Sequence, residues 1–409
     1  MNALRHTTVP DTGTGLEYSS AIQRLLGCAF RFNPSYQFIS FDHLTEEVRQ
    51  LLGVKSSDPE FCGVLMPSAP GLSVKAVCQN TVLLLESLRS PGSLPADTQQ
   101  EFSQKSSTLV RLVLDSVLEV QLEDGFVTGA AAAKMLGLRV LEKSDEGRLG
   151  RLSLEALQYG QALECGHAPA LSARLYFYNR MPASPRWTHR INTRQEFADY
   201  LGLEAGGVNR LLLNREWMLL NASPDNPGWL SWRSRRNPRM RSSYKLYLSP
   251  QCEDLRKTLR IVLPILTELE LPAFKLGRDL YGILRPDKFV IYVPTRERLD
   301  VAVDALLSNL EGVRAHGVPF TAGIDADGLV SWGMDPPRDE QLSSWQGTSW
   351  RRWVTDRLAV ALLTAKESPP NAELEPWQFA LQRVQIEGVD TRTWTPANVE
   401  WARPRDESE

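Results

Sequence analysis

Two lysines stand inside alternating, largely apolar stretches of this sequence: Lys245 in Tyr244-Lys245-Leu246-Tyr247-Leu248 and Lys275 in Ala273-Phe274-Lys275-Leu276-Gly277. An amine in an apolar cleft beside other cations gives up its proton more easily, which is how a neutral amine base arises near pH 7. On adjacent strands the two would share one sheet face. The same residues also fit edge-strand lysines whose stems pack on apolar surface while their heads reach water. Arg285-Pro286-Asp287-Lys288 follows. Arg285 offers a rigid two-pronged donor for phosphate, and Asp287 a carboxylate to orient it. The plainer reading is an ion pair on a surface turn. The stretch from Trp229 to Lys245 holds Arg233, Arg235, Arg236, Arg239, Arg241 and Lys245, no acid, and the rings of Trp229, Trp232 and Tyr244. Such a run suits a phosphorylated chain, an acidic peptide or a phosphate group, with Arg241 a candidate phosphate contact. A solvated basic loop has the same composition. His316 is a candidate acid or an ordinary loop residue. Cys252, near a helix start, is a candidate activated thiol or a buried structural one.

Other chemistries find no motif. There is no GxGxxG, GxxxxGK[ST] or GxSxG, so dinucleotide, P-loop and α/β-hydrolase sites gain no support. No histidine lies four residues from another, and five scattered cysteines with no CxxC read as reduced thiols rather than a disulfide framework or a metal site. The chain has 409 residues and a net charge of −3, so general nucleic-acid binding is not expected. No apolar stretch is long enough to span a bilayer and the first residues lack a signal-like apolar core, so no membrane partner and a cytoplasmic location are expected.

Positioning these residues requires a framework of strands and helices. Tyr244–Leu248, Ala273–Gly277 and Phe289–Val293 read as strands, with Val318–Thr321 and Leu329–Trp332 closing the sheet. Ser249-Pro250 suggests a helix start, and Leu255, Leu259, Val262, Leu266 and Leu269 mark one face of that helix, kinked at Pro264. Arg298–Leu310 reads as a second helix, with Gly312 beyond its end. The expected fold class is therefore α+β, a mixed sheet with two packed helices over residues 240–335. All eleven tryptophans fall at or after Trp187, which marks the earlier part as a different module. Stretches at 18–30, 44–52, 74–88, 101–120 and 152–163 read as helices, so a mainly helical N-terminal domain, a candidate peptide- or partner-binding unit, is expected over 1–165. The run Ala173–Tyr178 reads as a strand, and Thr193–Leu201 as a helix with a capping box. The second domain is expected over 166–366, including a helix at Ser349–Ala365. A C-terminal helix at Pro376–Ile386 and a disordered tail are expected over 367–409.

Taken in order, YKLYLSP, an amphipathic helix, AFKLGRD, RPDKFVIYV, another helix and GVPFT resemble the phosphothreonine-lyase-like family, over about a hundred residues. That family includes type III secretion effectors, the lyase domains of lanthipeptide synthetases and stand-alone effector-like lyases of peptide pathways. The resemblance implies a phosphate-facing lysine at Lys245, a general base at Lys275, a phosphate-binding arginine at Arg285 and a site aromatic at Tyr292. The family's acid histidine is replaced here by Tyr247, and its last phosphate-binding arginine is assigned to Arg338. The implied activity is β-elimination of phosphate from phosphoserine or phosphothreonine in a ribosomally made peptide, without metal or organic cofactor. No glycine loop with a β3 lysine, HRD-like loop or DFG is present, so a separate kinase must phosphorylate that peptide. The alternatives are a lyase-like subunit that binds phosphorylated or acidic peptide, and an effector-like protein.

Overall fold

The computed structural model describes residues 24–52, 61–104, 106–122, 125–133, 135–136, 147–220, 228–237, 242–334, 336, 349–367 and 374–396. Among the described residues its first third carries two small sheets beside its helices. Strands β1 (Phe30–Phe32), β2 (Tyr36–Ser40), β3 (Phe61–Pro67), β4 (Lys75–Cys78), β5 (Leu118–Leu122) and β6 (Gly125–Val127) form two antiparallel sheets, β2-β3-β4 and β1-β5-β6. Helices α1 (Glu46–Leu52), α2 (Gln79–Ser87), α3 (Ala96–Gln104) and α4 (Ser106–Leu114) accompany them. The stretch 101–120, expected as one helix, breaks after Leu114. Ser116 takes a left-handed φ of 59°, and Leu118 begins a strand against β1. Likewise 74–88 is strand before it is helix, because Lys75–Cys78 completes the edge of β3.

Helix α5 (Gly147–Ala162) precedes α6 (Ala168–Tyr176). The aromatic run at 173–178, expected as a strand, lies largely in α6. Pro169 sits in the first turn, where its missing N–H costs nothing, and Leu171 and Leu175, one turn apart, are fully buried. Helices α7 (Pro185–Arg190), α8 (Arg194–Leu201) and α9 (Val208–Glu216) follow. The Thr193–Glu196 capping box opens α8, and Gly202 at φ 69° closes it.

The main sheet has seven strands: β7 (Trp217–Leu219), β8 (Trp229–Ser234), β9 (Tyr244–Leu248), β10 (Ala273–Gly277), β11 (Phe289–Val293), β12 (Ala322–Gly323) and β13 (Val330–Met334), in the order β12-β13-β9-β11-β10-β8-β7. Helices α10 (Leu255–Glu268), α11 (Leu280–Ile283) and α12 (Arg296–Asn309) connect them. The class is α+β, and the long helices α10 and α12 pack on one face of the sheet. The sheet itself is antiparallel at every pairing, not mixed. The α10 crossover leaves β9 and β10 running the same way, but β11 inserts between them and pairs antiparallel with both. Helix α10 starts at Leu255, later than Ser249-Pro250 suggests. Ser249 Oγ donates instead to the Pro286 carbonyl at 2.6 Å, and Pro250 bridges Ala315. Residues 318–321 form a turn with Phe320 at φ 61°, and β12 begins only at Ala322.

Helices α13 (Trp350–Lys366) and α14 (Pro376–Ile386) and the pair β14 (Val389–Asp390) and β15 (Thr395–Pro396) complete the described chain. Packing cuts across the expected boundaries at 165 and 366. One apolar core joins the N-terminal sheets to α5, α6, α13 and α14, while the other joins the seven-stranded sheet to α8, α10 and α12. Of the expected tail over the last fifteen residues, 395–396 pair with β14 and 397–409 lie outside the described residues. Among the described residues no helix is long and apolar enough to cross a membrane.

Gly277 ends β10 against the backbone of Gly282 in α11, where an added Cβ would fall inside contact distance of main-chain atoms. Gly277→Ala is therefore expected to cost about 1–3 kcal/mol of stability by overpacking. A chemical-denaturation midpoint equal to that of the wild type would contradict this packing.

Candidate functional site

Alternation along the central strands separates two chemistries. Leu246 and Leu248 of β9, Phe274 and Leu276 of β10, and Phe289, Ile291 and Val293 of β11 face the helices and are buried. Lys245, Tyr247, Lys275, Val290 and Tyr292 therefore share the opposite face. Register makes them neighbours: Tyr292 lies opposite Lys245, while Val290 lies opposite Tyr247 on one side and Lys275 on the other. At the next strand Trp229 stands opposite Gly277, which has no side chain to displace its ring.

On this face cations and rings alternate. Lys245 Nζ lies 5.7 Å from the Tyr292 ring centre, and Lys275 Nζ lies 5.9 Å from the same ring and 4.4 Å from that of Trp229. Arg285 places its guanidinium carbon 4.6 Å from the Trp229 ring centre. The π faces attract these cations electrostatically. Lys245 and Tyr247 are buried; Lys275, Tyr292 and Arg285 are partly exposed. Trp350 lies close to Gly333 on β13, and an ideal Cβ there would stand 3.2 Å from the Trp350 ring and 3.4 Å from that of Tyr247. A side chain at Gly333 would crowd both rings.

Asp287 orients Arg285 as expected from their spacing: its carboxylate accepts from Nε and Nη2, each at 2.9 Å. Burial alone would push the Asp287 carboxyl up, but the Arg285 and Arg351 guanidiniums beside it hold it well below the usual carboxylate range. The pair is no surface turn, since Asp287 is 2% exposed. Burial, and then Asp287, push the Tyr176 phenol up to about 12.

The structure brings together Lys245, Tyr247, Lys275, Arg285 and Tyr292. Arg241 and Arg338 lie outside the described residues. Of the basic run, Arg235 donates to the Trp217 carbonyl at 3.1 Å and Arg236 pairs with Glu216 at 3.0 Å, so both tie down the sheet edge. Cys252 is a structural thiol: it is fully buried, donates to the Ile283 carbonyl at 3.0 Å, and is pushed by burial up to about 11. His316 does not serve as an exposed acid. It is 4% exposed, Nε2 donates to the Asn179 carbonyl at 2.6 Å, and Nδ1 accepts from Lys288 Nζ at 2.7 Å. Burial and Lys288 pull it down to about 3. Burial also pulls Lys288 down to about 8.

Sequence reading passed over Tyr176, Lys288 and Arg351 as site-side residues. Lys288 was detectable in principle, because it keeps the two-residue step of Val290 and Tyr292. Arg351 carried a fainter signal, a charged residue beside the apolar stripe of Trp350, Val354 and Leu358.

No protein-family model matches the chain, and no curated protein matches it in sequence. Among solved structures it is similar to the effector protein from Pseudomonas syringae pv. tomato strain DC3000. The identity is 11% and the TM-score 0.38, over 62% of this chain and 99% of that one. It is also similar to the effector protein from Pseudomonas syringae pv. syringae strain 61, at 12% identity and a TM-score of 0.36, over 61% of this chain and 99% of the other. Likeness at this level leaves the chemistry to the site's own geometry.

The enclosed His316 gives a pH dependence. Its folded pKa, about 3, lies below its unfolded value near 6.5. Between the two the unfolded chain binds more protons, so this contribution is complete above about pH 6.5 and is lost as pH falls. From pH 6.5 to 5 the wild type should lose about 1.5 kcal/mol through this group. His316→Gln should show a flatter profile in denaturant titrations, and equal slopes would contradict the burial described.

Proposed function

We propose that the polar face of the sheet binds a phosphoserine or phosphothreonine side chain of a ribosomally made peptide, phosphorylated by a separate kinase, and eliminates its phosphate to leave dehydroalanine or dehydrobutyrine. The observation that carries this reading is the run of cations and rings along one face: Arg285, Trp229, Lys275, Tyr292 and Lys245. Lys245 and Lys275 are separated by two strand spacings and offset by two residues along the strands, about 11–12 Å at the backbone, and both reach toward the intervening Tyr292.

In this reaction Lys275, as the neutral amine, takes the Cα proton. The C–H electron pair becomes the Cα–Cβ double bond, and the Cβ–O bond breaks with its pair leaving on phosphate. Lys245 and Arg285 hold the dianion and stabilise charge growing on the bridging oxygen. Tyr247, two residues from Lys245 on the same face, gives its proton to the leaving phosphate. The Lys275 ammonium returns a proton to solvent and the phenolate takes one back, so the cycle consumes no oxidant and no net proton. A phenol of ordinary pKa near 10 needs cations beside it to act as an acid at neutral pH, and Lys245 is the cation this strand supplies. Partial exposure of Lys275, Tyr292 and Arg285 keeps the face reachable by a peptide.

The test is mass spectrometry of a phosphothreonine peptide incubated with the purified protein. Loss of phosphoric acid, leaving a thiol-reactive residue, is expected. Lys275→Ala should slow elimination by roughly 10²–10⁴-fold with peptide binding nearly intact. Arg285→Ala should weaken binding of the phosphorylated peptide by about 10- to 100-fold. Normal elimination by both variants would dispose of the assignment. Binding without any mass change would instead favour a lyase-like subunit that holds phosphorylated peptide.

A further inference from the structure

Arg285 is held by side chains that belong to the other apolar core. Tyr176, the last residue of α6, donates its hydroxyl proton to Asp287 Oδ2 at 2.9 Å and accepts from Arg285 Nη2 at 3.2 Å. Arg351, in the first turn of α13, forms an ion pair with the same Asp287 oxygen at 3.0 Å. It is itself fixed by donating to the Pro319 carbonyl at 3.0 Å and to the Tyr176 carbonyl at 2.7 Å, and its guanidinium carbon stands 4.5 Å from the Tyr176 ring centre. Arg351 is 0% exposed, so it cannot touch a bound peptide and acts only through its neighbours.

We infer that Tyr176 and Arg351 are positioning residues that aim Arg285 at the phosphate, so that the core built from α6 and α13 sets the anion affinity of the sheet face; this rests on the phosphate-binding reading of Arg285 above. Two features support it. First, Asp287 occupies the Nε and Nη2 edge of the Arg285 fork, and among the described residues Nη1 makes no hydrogen bond. The grip therefore blocks rotation of the guanidinium and leaves its Nη1 side for a ligand. Second, two guanidiniums share one carboxylate, leaving one positive charge in a largely dehydrated place, which is costly unless an anion completes it. Of the two, only Arg285, with 14% of its side chain exposed, can reach that anion. A dianionic phosphate monoester supplies both the charge and the acceptor oxygens.

The experiment measures binding of one phosphothreonine peptide, and of its unphosphorylated form, by calorimetry with the full chain, every protein compared carrying Lys275→Ala so that the peptide is not consumed. Tyr176→Phe keeps the ring and removes only the hydroxyl. It should raise Kd for the phosphopeptide about 3- to 10-fold and leave the unphosphorylated form unchanged. Arg351→Lys, which keeps the charge and loses the fork, should act in the same direction; should it fail to fold, Tyr176→Phe decides alone. If Arg285→Ala loses phosphopeptide affinity while Tyr176→Phe binds as the Lys275→Ala parent does, the positioning role is overturned and the phosphate reading stands. If that parent and Arg285→Ala do not differ, the phosphate reading falls, and the positioning role with it.

Discussion

The register of β11 between β9 and β10 is the constraint from which the rest follows. Side chains alternate across a strand, so one residue of slippage in β11 would turn Val290 and Tyr292 into the helix-packed core, away from Lys245, Tyr247 and Lys275, and expose Phe289, Ile291 and Val293. Burying those apolar side chains against α10 and α12 is worth about 1.5–3 kcal/mol each. The polar face is thus set by the apolar one: no interaction among the cations is needed to bring them together, and several repel one another. The helices on one side hold a cluster of like charge on the other.

The seam between the two cores makes that cluster tolerable. Arg148 of α5 donates to the carbonyls of Ala315, His316 and Asp327, the Phe320 N–H donates to Ser153 Oγ, and Arg351 donates to the Pro319 carbonyl. Side chains of α5 and α13 therefore pin the loop that carries His316 and Pro319, and the loop in turn encloses Lys288. A second anchor lies deeper, where Arg383 of α14 meets Asp115 through two bonds of 2.6 and 2.7 Å. The C-terminal helices are in this way part of the first core rather than an appendage, and through Arg351 they reach the sheet face.

What was legible in the sequence follows from the range of the interactions involved. Strands β9 and β10 were legible because alternation is local and their lysines stood out against it, and β11 because it is a continuous apolar run. The pairing of Arg285 with Asp287 was legible because they stand two positions apart. The run 173–178 was misread because its five aromatic and apolar residues fit either period; the deciding features, Pro169 and the Leu171–Leu175 step, begin upstream. The antiparallel sheet was missed because a crossover helix suggests parallel neighbours, and only β11's insertion removes that contact. Arg351 gave only a faint signal because its bond to the Tyr176 carbonyl spans 175 residues. The N-terminal sheets were missed because β1 finds its partner β5 only across the intervening strands and helices.

The central claim is that this face seats a phosphate monoester. The most direct measurement is a crystal structure of the Lys275→Ala protein, in which elimination is blocked, with an intact phosphothreonine peptide. The account predicts phosphate density beside Tyr292, within hydrogen-bond reach of Lys245 Nζ and Arg285 Nη1, and the threonine Cα directed toward position 275. Phosphate bound elsewhere, with this face empty, would contradict it.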